Sequence, residues 1–398
     1  MNGRKIYKLS DIADVQTGPF GSQLHQRDYV DVGTPCIMPC NIGANLDVKT
    51  DNIAHLKDAD ILRLNKYCVK VGDIIYSRRG DIEKCAYINQ LQEGWLCGTG
   101  CLRIRPNTAM CFPKYLAYLL STKESKKWIV ANAVGTTMLN LNSSILNTMP
   151  ISLPPLAEQK RIADILSAID DKIELNRRIN ANLEQQAQAL YKSWFVDFEP
   201  FGGKMPEDWK EGRLEDIGEI VGGGTPSKSI SDYYTSNGIA WITPKDLSLT
   251  HAKFTSKGEI DITELGYVHS SAKLMPRGSI LFSSRAPIGY ISIAKNDICT
   301  NQGFKSVIPY NGCTAYIYYY LLANTLNIEA QASGSTFKEA SGTLMKSLDI
   351  LIPDDITLAK FEHTMHPFLE QQELIEEQNY DLSNLRDTLL PRLMKGEY

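Results

Sequence analysis

The sequence lacks the patterns that mark several classes of protein. No apolar run reaches about 18 residues, so no transmembrane helix is predicted, and the N-terminal stretch MNGRKIYKLSDIADV lacks the apolar segment of a signal peptide. It contains no G-x-G-x-x-G opening a helix, no Walker A lysine motif, and no HExxH, GxSxG or base-deaminase signature. We therefore expect a cytoplasmic protein without a nucleotide site, a membrane anchor or catalytic residues of its own.

Metal-ligand spacing is also missing. The nine cysteines include Cys36-x3-Cys40 and Cys97-x3-Cys101, but neither pair has the C-x2-C spacing of a zinc site and no histidine pair accompanies them. An odd number of cysteines in a chain without a secretion signal favours reduced thiols. We expect buried apolar thiols and no bound metal.

Excess positive charge is absent overall, but the charge is unevenly distributed. The net charge of −4 argues against a simple nucleic-acid binder. Residues 1–155 nevertheless carry 18 Lys and Arg against 13 Asp and Glu, a net charge of +5, whereas residues 356–398 carry 4 against 8, a net charge of −4. This distribution fits phosphate contacts on the first globular part and protein contacts along an acidic C-terminal segment.

Glycine and proline are absent from the residues between Leu156 and Phe198, which predicts one long helix. Apolar residues recur there with the 4-3 spacing of a coiled-coil seam. A helix of about forty residues is roughly 60 Å long and cannot bury its seam alone. The seam consists of Ile162, Leu166, Ile169, Ile173, Asn176, Asn180, Leu183, Ala187, Leu190 and Trp194.

A second seam follows 199 positions later, in the same frame and without a gap. Its members are Phe361, Met365, Phe368, Gln372, Ile375, Asn379, Leu382, Arg386, Leu389 and Leu393. Asn180 falls on Asn379, and buried Asn at a seam position favours one register. The chain is therefore predicted to be a duplicated sequence in which each half ends in a long helix.

The segments before the two helices also repeat. Val71–Ser77 corresponds to Arg277–Ser283, and Gly100–Pro106 corresponds to Gly303–Pro309. Short apolar runs between turn residues predict mixed α+β globules. We expect an α+β fold with a globular domain at 1–153, a long helix at 154–200, a second domain at 201–354 and a second helix at 355–398.

Both globules carry polar loops flanked by glycine at matching places. Arg reads guanine, Asn and Gln read adenine, and Ser and Thr bind phosphate, so these loops suit contact with DNA. A solvated turn is the alternative for any single residue. The candidates are Ser77, Arg78, Arg79, Thr136 and Thr137 in the first globule, and Ser284, Arg285, Asn301, Gln302, Lys305, Ser335, Thr336 and Lys338 in the second.

Several motifs resemble the specificity subunits of type I restriction–modification enzymes. They are LPPLAEQKRIADIL at 153–166, LLPRLMKG at 389–396, Gly224-Thr225-Pro226 and Trp241-Ile-Thr-Pro244-Lys245. The resemblance adds Thr225 and Lys245 to the candidate DNA contacts. It implies two target recognition domains, each reading half of a split double-stranded DNA sequence, and an antiparallel coiled coil between them.

The same resemblance implies partners and their cofactors. Two modification subunits would carry S-adenosylmethionine and methylate adenine, and restriction subunits would carry ATP and Mg²⁺ for translocation and cleavage. The chain itself would be non-catalytic. Two alternatives remain open at this point: a coiled-coil scaffold joining two modules that bind other ligands, and an enzyme without a known motif.

Overall fold

The chain folds into two compact units. The computed structural model describes residues 3–135, 139–334 and 338–397. The first unit comprises Met1–Lys172 with Leu382–Tyr398, and the second comprises Ile173–Asp381. Both long helices contribute residues to both units, so each unit contains one strand-rich domain and segments of both helices.

The first unit contains two four-stranded sheets and a two-stranded ribbon. Its strands are Lys5–Lys8 (β1), Ala13–Thr17 (β2), Tyr29–Val30 (β3), Thr34–Ile37 (β4), Ala54–Leu56 (β5), Ile74–Ser77 (β6), Cys85–Tyr87 (β7), Leu96–Cys97 (β8), Cys101–Pro106 (β9) and Pro150–Leu153 (β10). The sheets have the orders β2-β9-β6-β7 and β3-β5-β4-β8, and β1 pairs with β10. The helices are Leu9–Ile12 (α1), Asp58–Arg63 (α2), Pro113–Ser121 (α3), Lys123–Asn132 (α4), Ser143–Asn147 (α5) and the first part of Leu156–Phe195 (α6).

The second unit is built around a five-stranded sheet of order β12-β20-β17-β18-β15. Its strands are Lys210–Arg213 (β11), Gly218–Gly222 (β12), Tyr234–Thr235 (β13), Trp241–Ile242 (β14), Phe254–Thr255 (β15), Asp261–Ile262 (β16), Ile280–Ser284 (β17), Ile288–Ala294 (β18), Cys299–Thr300 (β19), Lys305–Pro309 (β20) and Asp349–Ile352 (β21). Its helices are Leu214–Ile217 (α7), Pro244–Thr250 (α8), Glu264–Val268 (α9), Thr314–Gln331 (α10), Gly342–Lys346 (α11) and the first part of Asp355–Lys395 (α12).

The predicted internal repeat is confirmed by strand pairing. β1 pairs antiparallel with β10, and β11 pairs in the same way with β21. β4 and β8 form a parallel pair that has its counterpart in β14 and β19. The two domains therefore share one scaffold, and the predicted α+β class is confirmed.

Central strands of both domains follow tight glycine turns. β6 and β17 are buried along their whole length, as expected for strands covered on both faces. Gly72 and Gly278 precede them with φ of +91° and +88°, a left-handed conformation that favours glycine. The turn signals Val71-Gly72-Asp73 and Arg277-Gly278-Ser279 thus mark equivalent corners.

The long helices pair antiparallel within each unit. At the start of α6, Ile162 and Leu166 share a core with Leu389 and Leu393 from the end of α12. In the second unit, Phe195 near the end of α6 packs against Phe361 near the start of α12, with ring centroids 4.7 Å apart. Burial of the apolar seams stabilises both helices.

All twenty seam positions predicted from the sequence are buried or half-buried. Near the end of α6, however, Tyr191 and Phe195 are more buried than the seam members Leu190 and Trp194. The reason is that this part of α6 also contacts the core of the second domain. A heptad pattern describes the face toward one partner helix and does not reveal a second packing face.

Polar seam residues have two different roles. Asn176 Nδ2 donates to Asn379 Oδ1 at 2.9 Å, so these amides pair within the coil. Arg386 contacts Asp170 Oδ1 at 3.2 Å and also donates to Asn45 Oδ1 in the first domain. Seam polarity therefore serves both helix register and attachment of the domain.

A buried lysine attaches the second domain to both helices. Lys253 Nζ donates to Glu184 Oε2 of α6 at 2.7 Å and to Gln372 Oε1 of α12 at 2.8 Å. The hydroxyl of Tyr319 also lies against this amine. Burial lowers the pKa of Lys253, and the Glu184 carboxylate opposes that shift. The amine is therefore a satisfied internal cation.

We expect Lys253→Met to destabilise the protein by on the order of 3 kcal/mol, because it leaves the Glu184 carboxylate without its cation. Chemical denaturation measures the effect. Lys253→Met combined with Glu184→Gln should recover part of the loss, and Lys210→Met, at an exposed position of β11, is the matched control. Equal losses for the single and double variants would contradict the pairing.

The half-buried Glu362 makes the stability dependent on pH. Its carboxylate accepts hydrogen bonds from the backbone N–H groups of Ala315 and Tyr316 at 3.1 and 2.8 Å. Burial raises the pKa of Glu362 to about 7, although the two hydrogen bonds oppose the shift. Because the folded state binds this proton more tightly, stability from this group is present below about pH 4.5 and is lost as the pH rises toward 7.

Glu362→Gln should therefore flatten the decline of stability between about pH 4.5 and 7 relative to the unmodified chain, since the amide does not titrate. The amide oxygen replaces only one of the two accepting oxygens, so the whole curve should also be lower. Denaturant unfolding at a series of pH values gives the difference curve. Parallel stability curves for the two proteins would show that Glu362 does not titrate in this range.

Candidate nucleic-acid interface

One cleft in the second unit brings together five residues that the sequence singled out. Its volume is about 820 Å³. Two of the five, Thr225 and Gln302, are 77 positions apart in the chain. The five residues are Thr225, Lys245, Arg285, Asn301 and Gln302.

The cleft forms at the edge of the sheet where strands that run in the same direction end. β12 and β17 both pair antiparallel with β20, so they run in the same direction and end at one edge. Thr225 follows β12, and Arg285 follows β17 directly. The parallel strands β14 and β19 lead to Lys245 in α8 and to Asn301. The sheet connections therefore position the polar side chains.

Close backbone approach shapes the floor of the cleft. A Cβ atom on Gly223 would lie 1.8 Å from the carbonyl oxygen of Asn301, so only glycine fits there. Asn301 Oδ1 accepts a hydrogen bond from the N–H of Gly303 at 2.8 Å. The Thr225 hydroxyl donates to the side-chain oxygen of Gln302. These bonds orient the two amides before any ligand binds.

Three cations of this surface, Lys245, Arg285 and Lys305, are paired with carboxylates. Lys245 Nζ contacts Glu259 Oε2 at 2.6 Å, and this hydrogen bond raises the pKa of Lys245. Arg285 and Lys305 lie 3.8 and 3.2 Å from Glu339. Ion pairs near the surface contribute little net stability, so a phosphate group can replace these carboxylates as the partner.

The first unit has the same loop scaffold with different side chains. The N–H of Arg78 donates to the carbonyl of Gly100 at 2.8 Å, and the N–H of Ser284 donates to the carbonyl of Gly303 at 2.7 Å. Arg78 thus corresponds to Ser284, and its neighbour Arg79 corresponds to Arg285. The short turn Pro39–Asn41 corresponds to the start of α8, so an exposed cysteine, Cys40, occupies the position of Lys245.

Two predicted DNA contacts are not at the surface. Ser77 and Ser284 are both buried. The hydroxyl of Ser77 donates to the carbonyl of Arg79 at 2.9 Å, and that of Ser284 donates to the carbonyl of Gly303 at 3.1 Å. We therefore reassign both serines to shaping the loops, because the strands that carry them are covered on both faces.

Four other predicted contacts, Thr136, Thr137, Ser335 and Thr336, fall outside the described residues. The described residues that flank them correspond in the two domains, since Val134 bridges Asn140 and Ser333 bridges Glu339. Beside them, Arg79 is exposed and Lys338 Nζ donates to a backbone carbonyl.

Sequence reasoning missed some residues of this surface. Lys228 and Tyr234 line the cleft of the second unit, but the sequence analysis did not select them. In the first unit, the exposed Phe20 follows β2, and the guanidinium of Arg78 lies over its ring. The glycine-flanked Gly18-Pro19-Phe20-Gly21 was the available signal for that loop.

The cysteines follow the expectation of buried thiols. All nine are free, seven are buried, and burial raises the pKa of the Cys36 thiol to about 12. Within residues 3–135, 139–334 and 338–397, no group of three or more His, Cys, Asp and Glu side chains could hold a metal ion. Over the same residues, no helix has the length and apolar character to cross a membrane.

Comparison with known proteins identifies the family. The family model described as "Type I restriction modification DNA specificity domain" matches residues 1–185 and 206–382. The HindI specificity subunit of Haemophilus influenzae is 26% identical over the full length of both chains. The MjaIX specificity subunit of Methanocaldococcus jannaschii is 38% identical over 194 residues, which cover 46% of this chain and 45% of that relative.

A solved structure has the same fold. The S subunit of a type I restriction–modification system from M. genitalium aligns with a TM-score of 0.63 over 98% of this chain and 96% of that chain, at 16% identity. The repeated domains and paired long helices define a two-domain DNA-specificity protein. The chain belongs to the type I restriction–modification DNA specificity family. Its relatives are named as specificity subunits, and the alternative of a scaffold without DNA is not supported.

Lys245→Ala should weaken binding to all DNA sequences alike and reduce the slope of log affinity against log salt by about one, because it removes one phosphate-neutralising charge. Titration of labelled duplex DNA at several salt concentrations measures both quantities. Lys210→Ala, on the β11–β21 ribbon outside the cleft, is the control. An unchanged slope for Lys245→Ala would place this cleft outside the DNA interface.

Proposed function

We propose that this chain is the DNA-recognition subunit of a type I restriction–modification complex. It binds a double-stranded target in two parts and directs adenine methylation and cleavage by its partner subunits. The observation that carries this proposal is the convergence of polar and cationic side chains in one cleft at the ends of several strands. Arg285, Asn301 and Gln302 there supply the donors and acceptors that read base edges, and Lys245 suits phosphate.

The duplication supports a target in two halves. Residues 1–153 and 201–354 act as two target recognition domains, and residues 154–200 and 355–398 form the helical spacer. The backbone hydrogen bonds of the loops recur in both domains, whereas the side chains on those loops differ. Each domain therefore reads its own half-site.

Partner subunits supply the chemistry. Two modification subunits, one for each repeat, bring S-adenosylmethionine and transfer the methyl group to adenine. Restriction subunits bring ATP and Mg²⁺ for translocation and cleavage. This chain binds none of these cofactors and acts in the cytoplasm, where the DNA is accessible.

Exchanging residues 1–153 for the corresponding domain of a relative tests the proposal. The complex with modification subunits should then methylate a target in which one half has changed and the other half is retained. Methylation mapping of DNA from cells that express the exchanged chain reads out both halves. A change in both halves, or in neither, would contradict independent recognition by the two domains.

A further inference from the structure

Equivalent loop positions in the two domains carry different recognition chemistry. The N–H of Gly18 donates to the carbonyl of Cys101 at 3.0 Å, and the N–H of Gly223 donates to that of Phe304 at 3.4 Å. Two positions further along, the first domain has Phe20 where the second has Thr225. At the ends of β6 and β17, likewise, the first domain has Arg78 at the position where the second has the buried Ser284.

Arg78 differs from two other arginines of its domain. Arg103 Nη2 lies 2.7 Å from Asp14 Oδ2, and Arg105 Nη2 lies 2.6 Å from Asp73 Oδ2, so both serve internal ion pairs. For Arg78, which is half-buried, the contacts among the described residues include no carboxylate. The Nε atoms of Arg78 and Arg103 are both buried without a partner, so the difference between the two residues is the missing counter-ion. The positive charge of Arg78 is therefore left for an acceptor outside the chain.

Phe20 determines the surface against which that guanidinium lies. The Cζ atom of Arg78 is 5.8 Å from the centroid of the Phe20 ring. The ring itself is 56% exposed, at the end of a short glycine-flanked turn. Guanidinium groups stack on aromatic faces, and such stacking limits the orientations that the planar group adopts. Among the described residues, Arg78 thus has no carboxylate partner, and an aromatic ring orients its guanidinium.

We infer that Arg78, oriented by Phe20, reads a guanine in the half-site of the first domain. Arg donates two hydrogen bonds to O6 and N7 of guanine, and its planar fork matches these acceptors. This inference rests on the proposed function. It assigns base selection to Arg78 and a positioning role to Phe20.

The second domain lacks an arginine at the same position. The equivalent of Arg78 is Ser284, which is buried and donates to the carbonyl of Gly303. Its cleft instead presents the neighbouring Arg285 together with the amides of Asn301 and Gln302. The duplicated scaffold therefore presents different side chains to its two half-sites, and a guanine contact made from this position belongs to the first domain.

The test uses the full chain assembled with its modification subunits. Methylation rates are measured on duplexes in which every base pair of the target is varied singly. With Arg78→Ala and with Arg78→Lys, discrimination at one G·C pair of the first half-site should fall about 10- to 100-fold. Discrimination elsewhere should be unchanged. Lys keeps the charge and the aliphatic stem, so its loss of discrimination separates base reading from charge and folding.

A base analogue gives an independent readout. Replacing that guanine by 7-deazaguanine removes the N7 acceptor, and it should slow the unmodified complex while leaving the Arg78→Ala complex unaffected. Phe20→Leu should reduce discrimination at the same base pair only. Combined with Arg78→Ala, it should add no further loss, because Phe20 acts through Arg78.

Several outcomes would overturn the inference. A first half-site without a G·C pair, unchanged discrimination with both Arg78 variants, or equal weakening on all sequences would each do so. Intact discrimination in the second half-site shows that the variant is folded and assembled. If the unmodified complex recognises no two-part sequence, the proposed function fails as well. If the unmodified complex recognises a two-part sequence and the Arg78 variants discriminate bases as it does, the failure is confined to this inference.

Discussion

Neither long helix can bury its apolar seam by itself. The pairing of α6 with α12 is therefore the constraint on which the rest of the structure depends. In each unit the paired segments also form part of the domain core, through Ile162 and Leu166 in the first and Phe361 and Met365 in the second. In each unit, the same buried apolar residues therefore hold the two helices together and pack them against the domain. Disturbing the seam is expected to loosen the adjacent domain as well as the coil.

Polar groups in the seam resolve a conflict between two requirements. A coiled coil is most stable with apolar seam positions. An apolar seam, however, does not select one register, and it cannot form hydrogen bonds or ion pairs with polar groups of the domain. Asn176 and Asn379 pair with each other. Gln372 instead accepts from Lys253 and donates to Glu184 at 3.0 Å. Such a buried network is stable because its members satisfy one another's hydrogen bonds and charges. Removing one member is destabilising because it leaves the others buried without a partner.

The recognition surfaces show how a duplicated scaffold can diverge. Backbone hydrogen bonds between neighbouring loops recur in both domains, and these bonds do not depend on the side chains that the loops carry. Position 78 and position 284 therefore accept Arg and Ser within the same geometry. Side chains at these positions can therefore change while the backbone scaffold stays the same.

The sequence by itself determined the elements that depend on periodicity. Duplication, two long helices and two α+β domains followed from spacing, glycine turns and the 199-residue offset. Even Pro367 and Pro391 lie within α12, because an apolar seam that continues in phase outweighs a local breaker when the helix is packed. Local patterns suffice for such features because each heptad or turn carries its own signal.

Only the tertiary structure decided which polar residues line the cleft. Ser284 and Arg285 are adjacent in sequence, yet one is buried in the sheet and the other lines the cleft. Arg78 and Arg103 are both arginines of one domain, but only Arg103 has an internal carboxylate partner among the described contacts. Burial and pairing arise from residues distant in the chain, so no local pattern specifies them. The assembly of Thr225, Lys245 and Gln302 in one cleft depends for the same reason on strand order, which sequence spacing alone does not reveal.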